Sequence, residues 1–128
     1  MRKLWLAALA AAFLAGCSTE PEVEQPAKFD LTFVAQAAPR YVERVEGGCA
    51  TTRIHEGTQV VITDAAGLTV GAGFMPKGTL QQDGSCTFKS VTEVTDSSDF
   101  YGLAVNGEDP VMFPSQKAHD GISLAYGY

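Results

Sequence analysis

The sequence predicts an all-β domain: a small β-sandwich of seven to nine short strands with one disulfide, behind a cleaved signal helix and a disordered tether. Three observations lead there. After Phe13 no helical apolar period lasts for three turns, whereas two-residue alternation recurs. Glycine, proline, asparagine and aspartate interrupt the chain at short intervals, as turns between strands do. Two cysteines, Cys49 and Cys86, stand in that β-rich part. Short strands with such turns suit a sandwich or small barrel, in which two facing sheets bury the alternating apolar sets.

The strands follow in order. Phe29, Leu31 and Phe33 alternate with Asp30, Thr32 and Val34, and Pro39 ends that stretch. Residues 41–46 read as a strand or as one helical turn before Gly47 and Gly48. Cys49 leads into a short strand toward His55. Residues 58–64 are rich in β-branched side chains, with Val60 and Ile62 on one face and Val61 and Thr63 on the other. Asp64 to Gly67 is a turn, and residues 68–74 return as a hairpin. Gly71 and Gly73 inside that return strand predict a bulge or a close backbone approach. Pro76 to Gly78 turns the chain again, and Asp83-Gly84 suits a tight hairpin.

Residues 86–94 form a long strand, residues 95–99 a loop, and residues 100–105 a further strand. Asn106-Gly107 is the best hairpin signal in the chain. Val111 to Phe113 returns between Pro110 and Pro114, which suit an edge strand. Residues 115–120 make one helical turn, and Ile122, Leu124, Tyr126 and Tyr128 alternate to the end.

The first sixteen residues have the form of a secretory signal: Arg2 and Lys3, an apolar run from Leu4, then small residues. The run to Gly16 is shorter than the ~20 residues of a helical membrane span. Leu14-Ala15-Gly16-Cys17 resembles the lipobox of bacterial lipoproteins. That resemblance implies a diacylglycerol thioether on Cys17 and cleavage just before it. A secreted protein or a retained transmembrane anchor is the alternative. Residues 1–16 are thus the signal, 17–27 the lipidated start and an acidic, proline-containing tether, and 28–128 the domain.

The chain carries net charge −6, and loss of Arg2 and Lys3 with the signal takes it to −8. That excludes nucleic acid as the expected partner and disfavours lying flat on an anionic bilayer. The expected location is the extracytoplasmic side of the cell membrane, held by lipid. With Cys17 lipidated, Cys49 and Cys86 are an even pair in an exported domain and read as a disulfide. Two free buried thiols are the alternative; the absence of Cys-x-x-Cys argues against redox chemistry.

The β-rich part resembles the small immunoglobulin-like or transthyretin-like domains of exported bacterial proteins. Residues 57–67 and Asp99-Phe100-Tyr101 look like stretches of uncharacterised actinobacterial lipoproteins. The resemblance brings no catalytic residues. It lacks the immunoglobulin Cys-to-Trp pattern, since Trp5 lies in the signal.

No catalytic motif is present. His55 and His119 have no ligand partner at a metal-motif spacing. Ser115, His119 and Asp120 contain the residue types of a hydrolytic triad, but a triad is a geometry. Glu93, Asp96, Asp99 and Asp109, with Glu108, are weak candidates for calcium, which needs six to eight oxygens. No cofactor is expected. The expected function is a lipid-anchored, non-enzymatic binding or structural module of the cell envelope, with an envelope protein as candidate partner. The alternatives are a hydrolase or metal-dependent enzyme with a loop-assembled site, and a calcium-stabilised adhesion-like domain.

Overall fold

The computed structural model describes residues 26–126. The signal, Cys17, the tether up to residue 25 and Tyr128 lie outside the described residues. Two four-stranded sheets and one small hairpin make up the domain. The first sheet has the order β10-β1-β7-β6, from β10 (Ile122–Tyr126), β1 (Lys28–Ala37), β7 (Cys86–Thr95) and β6 (Thr79–Leu80). The second has the order β5-β4-β8-β9, from β5 (Thr69–Phe74), β4 (Gln59–Thr63), β8 (Phe100–Val105) and β9 (Val111–Pro114). The hairpin joins β2 (Glu43–Val45) to β3 (Gly48–Ala50), and α1 (Ser115–Asp120) connects β9 to β10.

The alternation in the sequence becomes one core. Leu31, Phe33, Ala35 and Ala37 of β1 pair in register with Thr92, Ser90, Phe88 and Cys86 of β7, and all eight are buried. Val60 and Ile62 of β4 pair with Val105 and Leu103 of β8, and these four are buried too. Burying each such side chain contributes roughly 1.5–3 kcal/mol, as an upper estimate. β5 closes one side of the sandwich. A Cβ on Gly71 would lie 2.8 Å from the Glu93 carbonyl oxygen of β7, so the expected close backbone approach is present. The β4–β5 register also shifts between Ile62 and Thr63.

The turns follow their residues. Asp64 Oδ1 accepts the amides of Ala66 and Leu68, both at 2.9 Å. Asn106 and Gly107 both have positive φ, 58° and 73°, which the β8–β9 turn requires. Ser85 donates its hydroxyl to Asp83 at 2.6 Å and its amide at 2.9 Å. Those two bonds hold the Asp83 carboxyl below its ordinary value.

Two details differ from the expectation, and two go beyond it. The described residues form ten strands, because β2, β3 and β6 are too short to show alternation. The strand after Cys49 stops at Ala50. The Thr51 hydroxyl oxygen accepts the Arg53 and Ile54 amides and bends the chain before His55. β10 runs parallel to β1, with Phe33 opposite Ile122. The Cys49–Cys86 disulfide, with Cα atoms 6.0 Å apart, ties the small hairpin to β7 rather than one main sheet to the other. Gly78 makes room for it: its amide donates to the Cys49 carbonyl at 3.2 Å, and a Cβ there would collide with Cys86 Sγ.

Candidate functional site

Two features carry possible function: a histidine cluster at one end of the sandwich and an uncharged sheet face. The cluster begins with α1. Ala118 is fully buried and anchors this one-and-a-half-turn helix. His119 and Ser115, four residues apart, therefore share the helix surface beside the corner between β7 and β8. His119 Nδ1 lies 2.8 Å from the Ser115 carbonyl oxygen and 3.4 Å from Ser115 Oγ. His119 Nε2 lies 3.1 Å from Asp96 Oδ2. The ring stacks on Phe29 with centroids 3.8 Å apart, and Phe29 meets Tyr101 edge-on at 5.7 Å.

Asp96, not Asp120, is the acid beside His119. Asp120 adjoins His119 on the helix and cannot face it, whereas Asp96 arrives from another loop. Both ring nitrogens face acceptors, the Ser115 carbonyl and the Asp96 carboxylate, an arrangement that favours the protonated ring. The Ser115 carbonyl holds the His119 pKa above 6.5, against partial desolvation, and Asp96 and Asp120 add to the rise. Nδ1 lies nearer the Ser115 carbonyl oxygen than Ser115 Oγ, so the short contact at this nitrogen is with backbone and not with the hydroxyl.

The cluster is a clasp. It joins α1 to the 96–99 corner and to the start of β1, and two backbone bonds reinforce it. Asp96 N–H donates to the Ala27 carbonyl and Ser115 N–H to the Asp99 carbonyl, both at 2.8 Å. A raised folded pKa sets the sign of its pH dependence. The contribution is fully present below the unfolded value of about 6.5 and is lost as pH rises through the folded value. Urea unfolding across neutrality measures it. Wild type loses stability above about pH 6.5, and His119→Gln lacks that step. Parallel profiles for the two proteins would contradict the clasp.

The other candidates separate. Glu93 pairs with Lys28 at 3.4 Å and Glu108 with Arg53 at 3.3 Å, both on the surface. Asp96 is taken by His119, and Asp99 and Asp109 are exposed. Among the described residues no three His, Cys, Asp or Glu side chains gather as a metal site. His55 Nδ1 lies 3.0 Å from the Glu56 carbonyl oxygen. It borders a cleft of about 300 Å³ together with Glu46, Glu56 and Lys77.

The sheet face was missed by residue-by-residue reading. Register places Gln59, Val61 and Thr63 of β4, Ala72 and Phe74 of β5, Phe100, Gly102 and Ala104 of β8, and Met112 and Pro114 of β9 on the outer side of the second sheet. None is charged. Phe74 is 68% exposed, Met112 51% and Phe100 50%. The outer side of the first sheet instead carries Lys28, Asp30, Lys89 and Glu93. The signal lay in alternate residues of four strands, and only pairing shows that they share a surface. Compared with known proteins, the chain matches no family model, no curated protein and no solved structure.

Proposed function

We propose that this protein is a non-enzymatic binding module of the cell envelope, anchored by lipid at Cys17 on the extracytoplasmic side of the membrane. Its outer β5-β4-β8-β9 face docks an uncharged, apolar surface of another envelope protein. The observation that carries this reading is the contrast between the two sheet faces. A chain of net charge −6 keeps one four-strand face free of charge and leaves two phenylalanines and a methionine on it half or more exposed. Exposed apolar area of that kind marks interaction surfaces, and aromatic anchors dominate their energetics. The acidic remainder favours neither nucleic acid nor an anionic bilayer as the occupant. The short contact of His119 with the Ser115 carbonyl, and not with its hydroxyl, supports a structural rather than a catalytic role for this Ser–His pair.

Crosslinking capture from intact cells tests the docking face. Phe74→Ser with Met112→Ser lowers capture of the wild-type partner by about tenfold or more. Val91→Ser, an equally exposed apolar position on the first sheet, leaves it unchanged. Equal capture by all three proteins would refute the assignment of the face.

A further inference from the structure

At one end of the first sheet the charges of its outer side stop. Register sets Thr87 of β7, Gln36 of β1 and Ala125 of β10 in one row there, one step beyond Lys89 and Val34. The loop between β6 and β7 borders this row. Gln36, Gln81, Gln82, Asp83, Ser85 and Thr87 line an open groove of about 660 Å³. A second cleft of about 290 Å³ continues it toward β10. It shares Gln36, Asp83 and Ser85 with the first and adds Ala38, Pro39 and Ala125. Such volumes are those of small-ligand clefts, ~300–1,000 Å³.

The loop beside the groove is held by its own bonds. Gln81 N–H donates to the Ser85 carbonyl at 2.8 Å, and Gly84 N–H to the Gln81 carbonyl at 3.0 Å. Gly84 has φ 89°, and a Cβ on it would lie 3.4 Å from Pro39 Cβ, so the loop sits close on Pro39. Ser85 is buried and gives both its hydroxyl and its amide to Asp83 Oδ1. Those bonds orient an exposed carboxylate and leave Oδ2 to accept from a ligand. Among the described residues, Gln36, Gln82 and Thr87 make no side-chain hydrogen bond within the protein.

The lining selects a ligand class. No lysine, arginine or histidine lines either cleft, so nothing there answers a phosphate or a carboxylate. One carboxylate falls far short of the oxygens a calcium ion needs. An extended peptide pairs along a sheet edge, whereas this groove crosses a sheet face from the β6–β7 loop over β7 and β1. Three amides and a hydroxyl both donate and accept, and Asp83 accepts. A sugar hydroxyl likewise does both. We propose that this groove binds a neutral saccharide. Asp83 Oδ2 and the Gln36 and Gln82 amides bond its hydroxyls, and Pro39 packs against the C–H face of a ring. The groove is open and its polar groups are exposed, so binding is weak, in the millimolar range. The site lies on the first sheet and is independent of the docking face on the second.

Saturation-transfer NMR tests this on the protein as the cell processes it, in a detergent without a sugar headgroup. The probes are maltotriose, cellotriose and triacetylchitotriose, with triglycine as the peptide comparison. At least one of the trisaccharides binds. Gln36→Ala with Gln82→Ala weakens that binding about tenfold, and Asp83→Asn alone does the same. Both glutamines are exposed, so their double variant folds as wild type does. Asp83→Asn keeps an oxygen for Ser85 and turns the ligand's acceptor into a donor. Glu93→Gln, at the far end of the same sheet face, leaves binding unchanged. No transfer to any trisaccharide at about 10 mM, binding that both groove variants leave intact, or equal transfer to triglycine would overturn the proposal.

Discussion

Replacing both Cys49 and Cys86 by alanine lowers the unfolding free energy by about 4 kcal/mol, the chain-entropy effect of a cross-link spanning 37 residues. For a domain of this size that corresponds to a melting temperature lower by roughly 15–30 °C. The site accounts for the size of the effect. Both sulfurs are fully buried, and without them the β2–β3 hairpin keeps its own ladder, the bridge to Gly78 and the bond from Lys77 Nζ to the Glu46 carbonyl. Thermal unfolding of the oxidised protein and the double-alanine variant measures it. Two melting curves within about 2 °C would mean that the hairpin is held by something other than the cross-link.

Tyr101→Ala costs about 3–5 kcal/mol, the range for removing a large buried aromatic side chain. Tyr101 stands where the chain crosses from the first sheet to the second, between β7 and β8. Its ring is 1% exposed and packs edge-on against Phe29. Its hydroxyl oxygen accepts the Ser97 and Ser98 amides at 3.0 and 3.1 Å, and its proton has two acceptors in reach, the Thr95 carbonyl at 3.3 Å and Asp96 Oδ1 at 3.4 Å. One side chain therefore fills the core and folds the corner. Tyr101→Phe separates the two effects: it keeps the ring, leaves two amides without their acceptor, and costs about 1–3 kcal/mol. Denaturant unfolding of the two variants reads both numbers. A phenylalanine variant as unstable as the alanine variant would show that the corner bonds outweigh the packing.

Much of this fold was legible because the strands that build it are long or β-branched. β1, β4, β7 and β8 display their buried faces as simple alternation, and Asp64–Gly67 and Asn106-Gly107 carry turn chemistry in their own residues. The cysteine pair followed from parity once Cys17 is set aside. What stayed hidden depends on distance along the chain. His119 and Asp96 are 23 residues apart, and nothing local says that Asp96 rather than Asp120 receives the imidazole. The parallel pairing of β10 with β1 joins opposite ends of the domain, which alternation within either strand cannot specify. The strand expected after Cys49 failed because the hydroxyl of Thr51 competes for its own backbone, an effect that β-propensity ignores. The uncharged outer face is a property of four strands in register. Each strand alone shows only two or three neutral residues.

The proposed docking face gains its meaning from the proposed lipid anchor. Intact mass of the protein extracted from the envelope tests that most directly. The account predicts a polypeptide beginning at Cys17, heavier by a diacylglycerol group with or without a further acyl chain, and two hydrogens lighter for the Cys49–Cys86 bond. A chain that still begins at Met1, with all three thiols unmodified, would contradict it.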